Sequence, residues 1–180
     1  MEKELKYLAA GIGTILVLLL IALSVFGNEI KVGAMLLLMI AFGVLNRIPA
    51  KLSRMRGLEL WLPFTIIAGF AAGPVAGVLV GVSILFISDR ILPDFPPAML
   101  LAMLVTAGIA FFAGSITVNQ GNIMFFGMLL SIAYNLVTNS VYFFWGQDGF
   151  RILRFTFLSL FVNYLVYRDF GYMLFSLLHG

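Results

Sequence analysis

Long apolar runs separated by short polar breaks divide the chain into seven segments. The first is Tyr7 to Phe26, preceded by Glu2, Lys3, Glu4 and Lys6 and ended by Gly27-Asn28. Its apolar stretch is too long for a signal peptide and no small-x-small cleavage site follows, so it reads as a transmembrane helix. A second run covers Val32 to about Leu45 and leads into a basic cluster of Arg47, Lys51, Arg54 and Arg56, with Pro49 inside it. Leu58 to Ala72 and Val75 to about Ile87 are two short arms, followed by a stiff polar loop from Ser88 to Pro97. Within that loop, Asp89 and Arg90 are placed to pair with each other. Ala98 to Val118 predicts the next span, ended by Asn119-Gln-Gly-Asn122. Ile123 to Trp145 follows, then a charged turn with Asp148, Arg151 and Arg154, and a helix from Ile152 to Tyr167. Arg168-Asp169 divides that helix from Tyr172–Leu178, which either lies at the interface or finishes the span.

Gly69, Gly73, Gly77 and Gly81 stand at a strict four-residue interval across the two short arms. A glycine column at helical spacing is a flat seam on which another backbone can lie closely. Gly73-Pro74 interrupts it, and this step suits one helix ending and another starting. The pattern predicts a tight helix–turn–helix with packing glycines. In lipid such a turn must be covered by neighbouring protein.

Polar positions carry the next signal. Ser131, Tyr134, Asn135, Thr138, Asn139, Tyr142 and Trp145 recur at three- and four-residue steps, so they share one helix face. Thr156, Ser159, Asn163 and Tyr167 repeat the pattern on the last long helix. Amides and hydroxyls turned toward hydrocarbon are costly, so both faces should point into the bundle. Facing each other, they predict a pocket for a small, flat, polar organic molecule. Such residues also act as interhelical glue, worth about 0.6 kcal/mol per contact.

Composition sharpens this picture. Hydrophobic residues make up 62% of the chain and charged residues 11%, with a mean hydropathy of +1.10. Soluble domains carry about 25% charge, so this is an integral membrane protein without room for a separate soluble domain. With no cysteine there is no disulfide framework or thiol nucleophile, and the net charge of +3 does not suggest nucleic acid. His179 is the only histidine. Neither a metal site nor a cofactor is expected. Paired intramembrane catalytic residues, clustered aspartates and a last-helix lysine for a retinal Schiff base are all missing, so no enzymatic or retinal-binding role is expected. With the N-terminus cytoplasmic and all seven segments crossing, nine Lys and Arg residues lie inside and only Lys31 and Arg168 outside. The expected location is the cell membrane, multi-pass.

The residues Ile48-Pro49, Phe70-Ala-Ala-Gly-Pro-Val-Ala-Gly77, Gly81 and Asp89 form a recognisable series. With its Phe-x-x-Gly-Pro-x-x-Gly hairpin, the segment from about Met39 to Asp89 resembles the substrate-binding S components of energy-coupling-factor (ECF) vitamin transporters. The resemblance covers roughly Lys31 to Arg168. It implies one transmembrane domain over 1–180: an S-component-like six-helix bundle at 31–178, plus an additional N-terminal helix at 7–26. It also implies high-affinity capture of a vitamin-like nutrient, with uptake driven by a separate coupling subunit and a pair of ATPases. The chain agrees in having no Gly-x-x-x-x-Gly-Lys-Ser/Thr phosphate loop.

By position, the family's pocket maps onto the loop Arg47 to Glu59 and onto Thr106, Asn135, Thr138, Asn139, Tyr142, Trp145, Asn163 and Tyr167. Ala34 and Ala41 are the nearest match to the family's small-residue contact with its coupling subunit. Two departures stand out: the additional N-terminal span, and the Lys/Arg bias, which places the Arg47 loop inside where the family keeps it outside. A second class remains open. A non-enzymatic scaffold like the rod-shape protein MreD, which shares the S-component-like fold, would tolerate loss of Asn135, Asn139 and Tyr142; a binder would not.

Overall fold

Hydrocarbon offers backbone N–H and C=O groups no partner, so apolar runs of this length close their own hydrogen bonds as helices. The computed structural model describes residues 28–52, 57–93 and 96–179. The Tyr7–Phe26 segment lies outside them, as do Lys3, Lys6, Arg54 and Arg56.

The elements are α1 (Asn28–Leu52), α2 (Trp61–Ala72), α3 (Pro74–Ile91), α4 (Pro96–Ser115), α5 (Ile123–Phe144), α6 (Gly149–Val166) and α7 (Tyr172–His179). A 3-10 turn at Gln120–Asn122 precedes α5, and a π-helical turn at Tyr167–Gly171 joins α6 to α7. Among the described residues there is no strand. Among the described residues, five stretches are long and apolar enough to cross a membrane: Ile30–Leu52, Pro74–Ile91, Pro97–Ser115, Gln120–Phe144 and Gly149–His179. The fold is a polytopic all-α membrane bundle.

The glycine hairpin forms as the sequence spacing predicts. Gly73 ends α2 with φ +90°, a conformation that side-chain-bearing residues rarely adopt, and Pro74 opens α3. The other three glycines set the packing. A Cβ on Gly77 would stand 2.9 Å from the Gly69 Cα, and one on Gly81 would stand 2.5 Å from the side chains of Thr65 and Thr106. Gly69 faces Ala113 and the backbone of Ala110 on α4, while Gly114 abuts Pro74. Small residues on α4 therefore complete the seam, drawing α2, α3 and α4 into one tight unit. Gly43 of α1 receives Ile84 of α3 in the same way.

Several boundaries differ from the sequence reading. α1 continues past Leu45 through Arg47, Pro49 and Lys51, so the first half of the expected Arg47–Glu59 loop is helix. α3 likewise runs through Ser88, Asp89 and Arg90. Ion pairs between Arg47, Lys51 and Asp89 hold both helix ends together and allow charged residues inside the helical stretch. Asp89 therefore pairs across helices, not with its neighbour. The Arg90 guanidinium instead lies 4.9 Å from the Phe86 ring centre. α2 starts only at Trp61 and has 12 residues, about 18 Å. α3 is longer than expected, at 18 residues.

Arg168-Asp169 does not break the last helix. The pair sits exposed in the π turn, with Arg168 Nε and Nη2 donating to the Asp169 carboxylate at 2.6 and 2.8 Å. Neutralised in this way, it leaves the chain free to continue as α7. Ala34 is buried within the bundle, so it offers no outward seam.

The bundle has two unlike ends. Arg47, Lys51, Asp89 and Arg151 gather at one, while Lys31, Gln120 and Arg168 mark the other. Replacing Gly77 with Ile should lower stability by about 1–3 kcal/mol through overpacking, whereas Gly108→Ala, where an added Cβ meets nothing within 4 Å, should cost nothing. Thermal unfolding of the two variants in detergent checks this.

Candidate functional site: a cavity at the charged end

Arg47 and Lys51 are one helical turn apart and share a face of α1. Asp89, near the end of α3, pairs with both, its carboxylate lying 3.3 Å from Arg47 Nη2. Arg47 Nε also lies 3.5 Å from Glu59 Oε2. Lys51 Nζ donates further to the Leu92 carbonyl at 2.8 Å. All four side chains are at most 9% exposed. Two cations thus meet two carboxylates in a dry setting, a balanced arrangement that buried charges require.

The segment after α1 is tucked against this cluster. Gly57 turns with φ +105° against the Phe155 carbonyl of α6, a contact that leaves no space for a side chain. Asn46 Oδ1 then accepts from the Leu60 N–H at 2.8 Å, which steers the chain into α2. Trp61 follows, its indole N–H donating to Glu59 Oε2 at 2.7 Å and its ring meeting Tyr134 edge-on at 5.0 Å. Because α2 begins below the charged end, space is left above Trp61.

That space is a cavity of about 350 Å³. Arg47, Glu59 and Asp89 form one wall, while Trp61 and Tyr134 contribute aromatic surface. α5 adds Asn139 and Tyr142, and Trp145 stands just beyond its end. Gln147, Arg151 and Arg154 stand at the mouth, and Ala98, Met99 and Ala102 of α4 supply a smooth apolar side. The α6 arginines are positioned by Asp148, whose carboxylate caps the helix by accepting from the Arg151 N–H at 3.0 Å. Among the described residues, no three His, Cys, Asp or Glu side chains converge as a metal ion would need.

The eight residues singled out from sequence divide into two groups. Asn139, Tyr142 and Trp145 line the cavity together. Thr106, Asn135, Thr138, Asn163 and Tyr167 are buried elsewhere between helices and do not line it. Thr106 donates to the Ala102 carbonyl and Thr138 to the Tyr134 carbonyl, each within its own helix. Asn135 Nδ2 donates to the Ser131 carbonyl at 2.8 Å and reaches Ser159 Oγ at 3.4 Å. Tyr167 lies across Gly127, its hydroxyl 3.0 Å from Ser131 Oγ. The lower part of the polar stripe is therefore packed shut. Asn163 is fully buried there, with neither amide atom partnered among the described residues.

Glu59, Trp61, Asp89, Gln147, Arg151 and Arg154 line the cavity without having been singled out individually as binding residues. A signal existed for Asp89: a carboxylate closing an apolar helix demands a named cationic partner. Nothing in the spacing announces Trp61, because the descent of the chain below the surface is a tertiary feature. No family model, curated protein or solved structure matches the chain.

Asp89→Asn should destabilise the protein by about 3–5 kcal/mol, since it leaves two buried cations facing one carboxylate. The double change Lys51→Met with Asp89→Leu keeps the charges balanced and should recover most of that loss. Thermal unfolding of both variants in the same detergent reads the difference.

Proposed function

We propose that the protein is a membrane-embedded binding subunit for a small organic molecule, working within a transport assembly and lacking ATPase activity of its own. The observation that carries this reading is the cavity at the charged end. Its volume of about 350 Å³ falls at the lower end of ordinary ligand sites, roughly 300–1,000 Å³. Its lining combines rings, amides and charges, as sites that orient a ligand do. The hairpin resemblance to S components of ECF transporters extends the reading to a vitamin-like nutrient, a coupling subunit and an ATPase pair. The cavity itself asks only for a compact molecule with hydrogen-bonding groups.

The charge distribution bears on which side is served. Among the described residues Arg47, Lys51, Arg90, Arg151 and Arg154 lie at the cavity end, with Lys31 and Arg168 at the other. Under the positive-inside rule the mouth then faces the cytoplasm. An inward mouth suits delivery to, or capture from, the cytoplasmic side, and not capture from outside. A non-enzymatic scaffold of MreD-like type is the second reading. It is favoured by the closed packing of Asn135, Thr138 and Tyr167, which serves cohesion alone.

Purification in mild detergent followed by mass spectrometry should recover a bound small molecule. Tyr142→Ala combined with Trp145→Ala should cut its retention by about tenfold or more, as loss of aromatic anchors does, while the melting temperature holds. A scaffold would yield an empty wild type. Orientation can be read separately, because the chain has no cysteine. In intact cells a membrane-impermeant thiol reagent should label Gln120→Cys, and it should label Gly149→Cys only after permeabilisation.

A further inference from the structure

Below the cavity, three side-chain contacts bridge α5 and α6, one above another. Asn139 Nδ2 donates to Thr156 Oγ1 at 2.7 Å, Asn135 Nδ2 reaches Ser159 Oγ at 3.4 Å, and the Tyr167 hydroxyl lies 3.0 Å from Ser131 Oγ. The α5 members stand at every fourth residue, so this ladder runs about 12 Å along the helix. Its top rung opens on the cavity, because Asn139 lines it. Its foot is Tyr167, the first residue of the π turn.

Asn163 stands one turn from Ser159 and one turn from Tyr167, so it falls between the two lower rungs. It is fully buried, and neither its amide nitrogen nor its oxygen has a partner among the described residues. Asn135 Oδ1, on the facing helix, is buried without such a partner as well. An amide buried in an apolar setting is costly unless it is hydrogen-bonded, and buried polar groups find their partners in protein or in water. The described protein groups supply none here, which leaves water. A leucine of similar volume at position 163 would avoid the cost altogether. The polarity of this seam therefore exceeds what cohesion alone requires.

The other half of the bundle is built differently. Thr65, Thr106 and Ser88 each satisfy their hydroxyls on a carbonyl of their own helix, and the glycine seam packs backbone on backbone. The ladder is thus the polar way from the cavity to Asn163. At its foot the Tyr167 ring is seated on Gly127, where an added Cβ would stand 2.8 Å from the ring. Beyond the ring, Ile123 is the last buried residue of α5 before the exposed Gln120–Asn122 turn. Tyr167 is carried by the π turn, a break in regular helical bonding of the kind at which helices bend.

We propose that the α5–α6 seam is a water route that continues the cavity into the bundle, with the Tyr167 ring as its gate toward the far end. Water enters past Asn139 and Thr156 as the helices part, and the amides of Asn135 and Asn163 hold it. With the ring seated on Gly127 the route stops there; with the ring displaced it crosses the bundle. The rungs are amides and hydroxyls without charge, so the route suits water and small neutral solutes, not ions. The cavity serves it as a wet chamber and need not hold a ligand.

The chain has no cysteine, so a single introduced thiol reports without background. Methyl methanethiosulfonate is small and neutral and attacks the ionised thiol, so a buried cysteine reacts only where water reaches it. In native membranes Ser159→Cys should react about tenfold or more faster than Thr65→Cys, a factor that one satisfied buried polar group can supply. Both positions are buried, but Thr65 lies in the glycine-sealed half. Ser131→Cys is the second reporter should Ser159→Cys fail to fold. Adding Asn163→Leu should slow the Ser159→Cys reaction about tenfold, since it removes the amide that holds the water. Gly127→Ala unseats the ring, and vesicles carrying that variant should shrink faster in hyperosmotic sucrose than vesicles carrying wild type or Gly108→Ala. Equal reactivity of Ser159→Cys and Thr65→Cys, or a Ser159→Cys reaction indifferent to Asn163→Leu, overturns the route. Unchanged shrinkage with Gly127→Ala overturns the gate. A molecule retained through Tyr142 by a protein whose Ser159→Cys is unreactive overturns the route and leaves the binding-subunit reading standing. A reactive Ser159→Cys in a protein that purifies empty supports the route and overturns that reading.

Discussion

Where Gly77 meets Gly69, and where Gly114 meets Pro74, backbone rests directly on backbone. In lipid there is no hydrophobic drive to bring helices together, so close van der Waals contact carries the association. The glycine seam provides that contact for α2, α3 and α4, with Ala110 and Ala113 extending it. Half of the bundle is thereby sealed. Any usable void must then lie toward α5 and α6, and it lies at the end where α2 stops short of the surface. The location of the cavity follows from the tightness of the hairpin.

The polar residues inside the bundle obey a chemical division. The hydroxyls of Thr65, Thr106, Thr138 and Ser88 each bond to the carbonyl four residues earlier in their own helix. Such groups satisfy themselves locally and are cheap to bury. Amides have a donor pair and an acceptor and cannot be satisfied so simply. Asn135, Asn139 and Asn163 all keep at least one buried atom without a partner among the described residues. Of these three only Asn139 lines the cavity. The ion cluster above it follows the same logic in stronger form, since four charges stay buried only because their signs match.

The hairpin was legible in the sequence because glycine and proline act through the backbone alone, and their spacing is visible without any neighbour. The inward-facing stripe of α5 was legible for a similar reason, as helical periodicity places Ser131 through Tyr142 on one face. What the stripe does at each level was not. Asn135 and Asn139 occupy equivalent positions one turn apart, yet one is packed against Ser159 and the other lines an open space. The difference is set by how α2 and α6 approach α5, which no local pattern records. The helical run through Pro49 and the pairing of Asp89 with Lys51 are likewise products of two helices meeting. The unbroken path from α6 into α7 depends on Arg168 and Asp169 neutralising each other, and composition alone reads that pair as a stop.

The shortness of α2 has an electrical consequence. With Trp61 at the floor of an open chamber, the insulating layer beneath it shrinks to about the 18 Å length of that helix, instead of roughly 30 Å. The membrane voltage is then focused across a thinner slab, and the field along α2 is steeper than in the surrounding bilayer. A charge entering the chamber approaches this steep region, while the neutral Arg47–Lys51–Asp89–Glu59 group experiences no net pull.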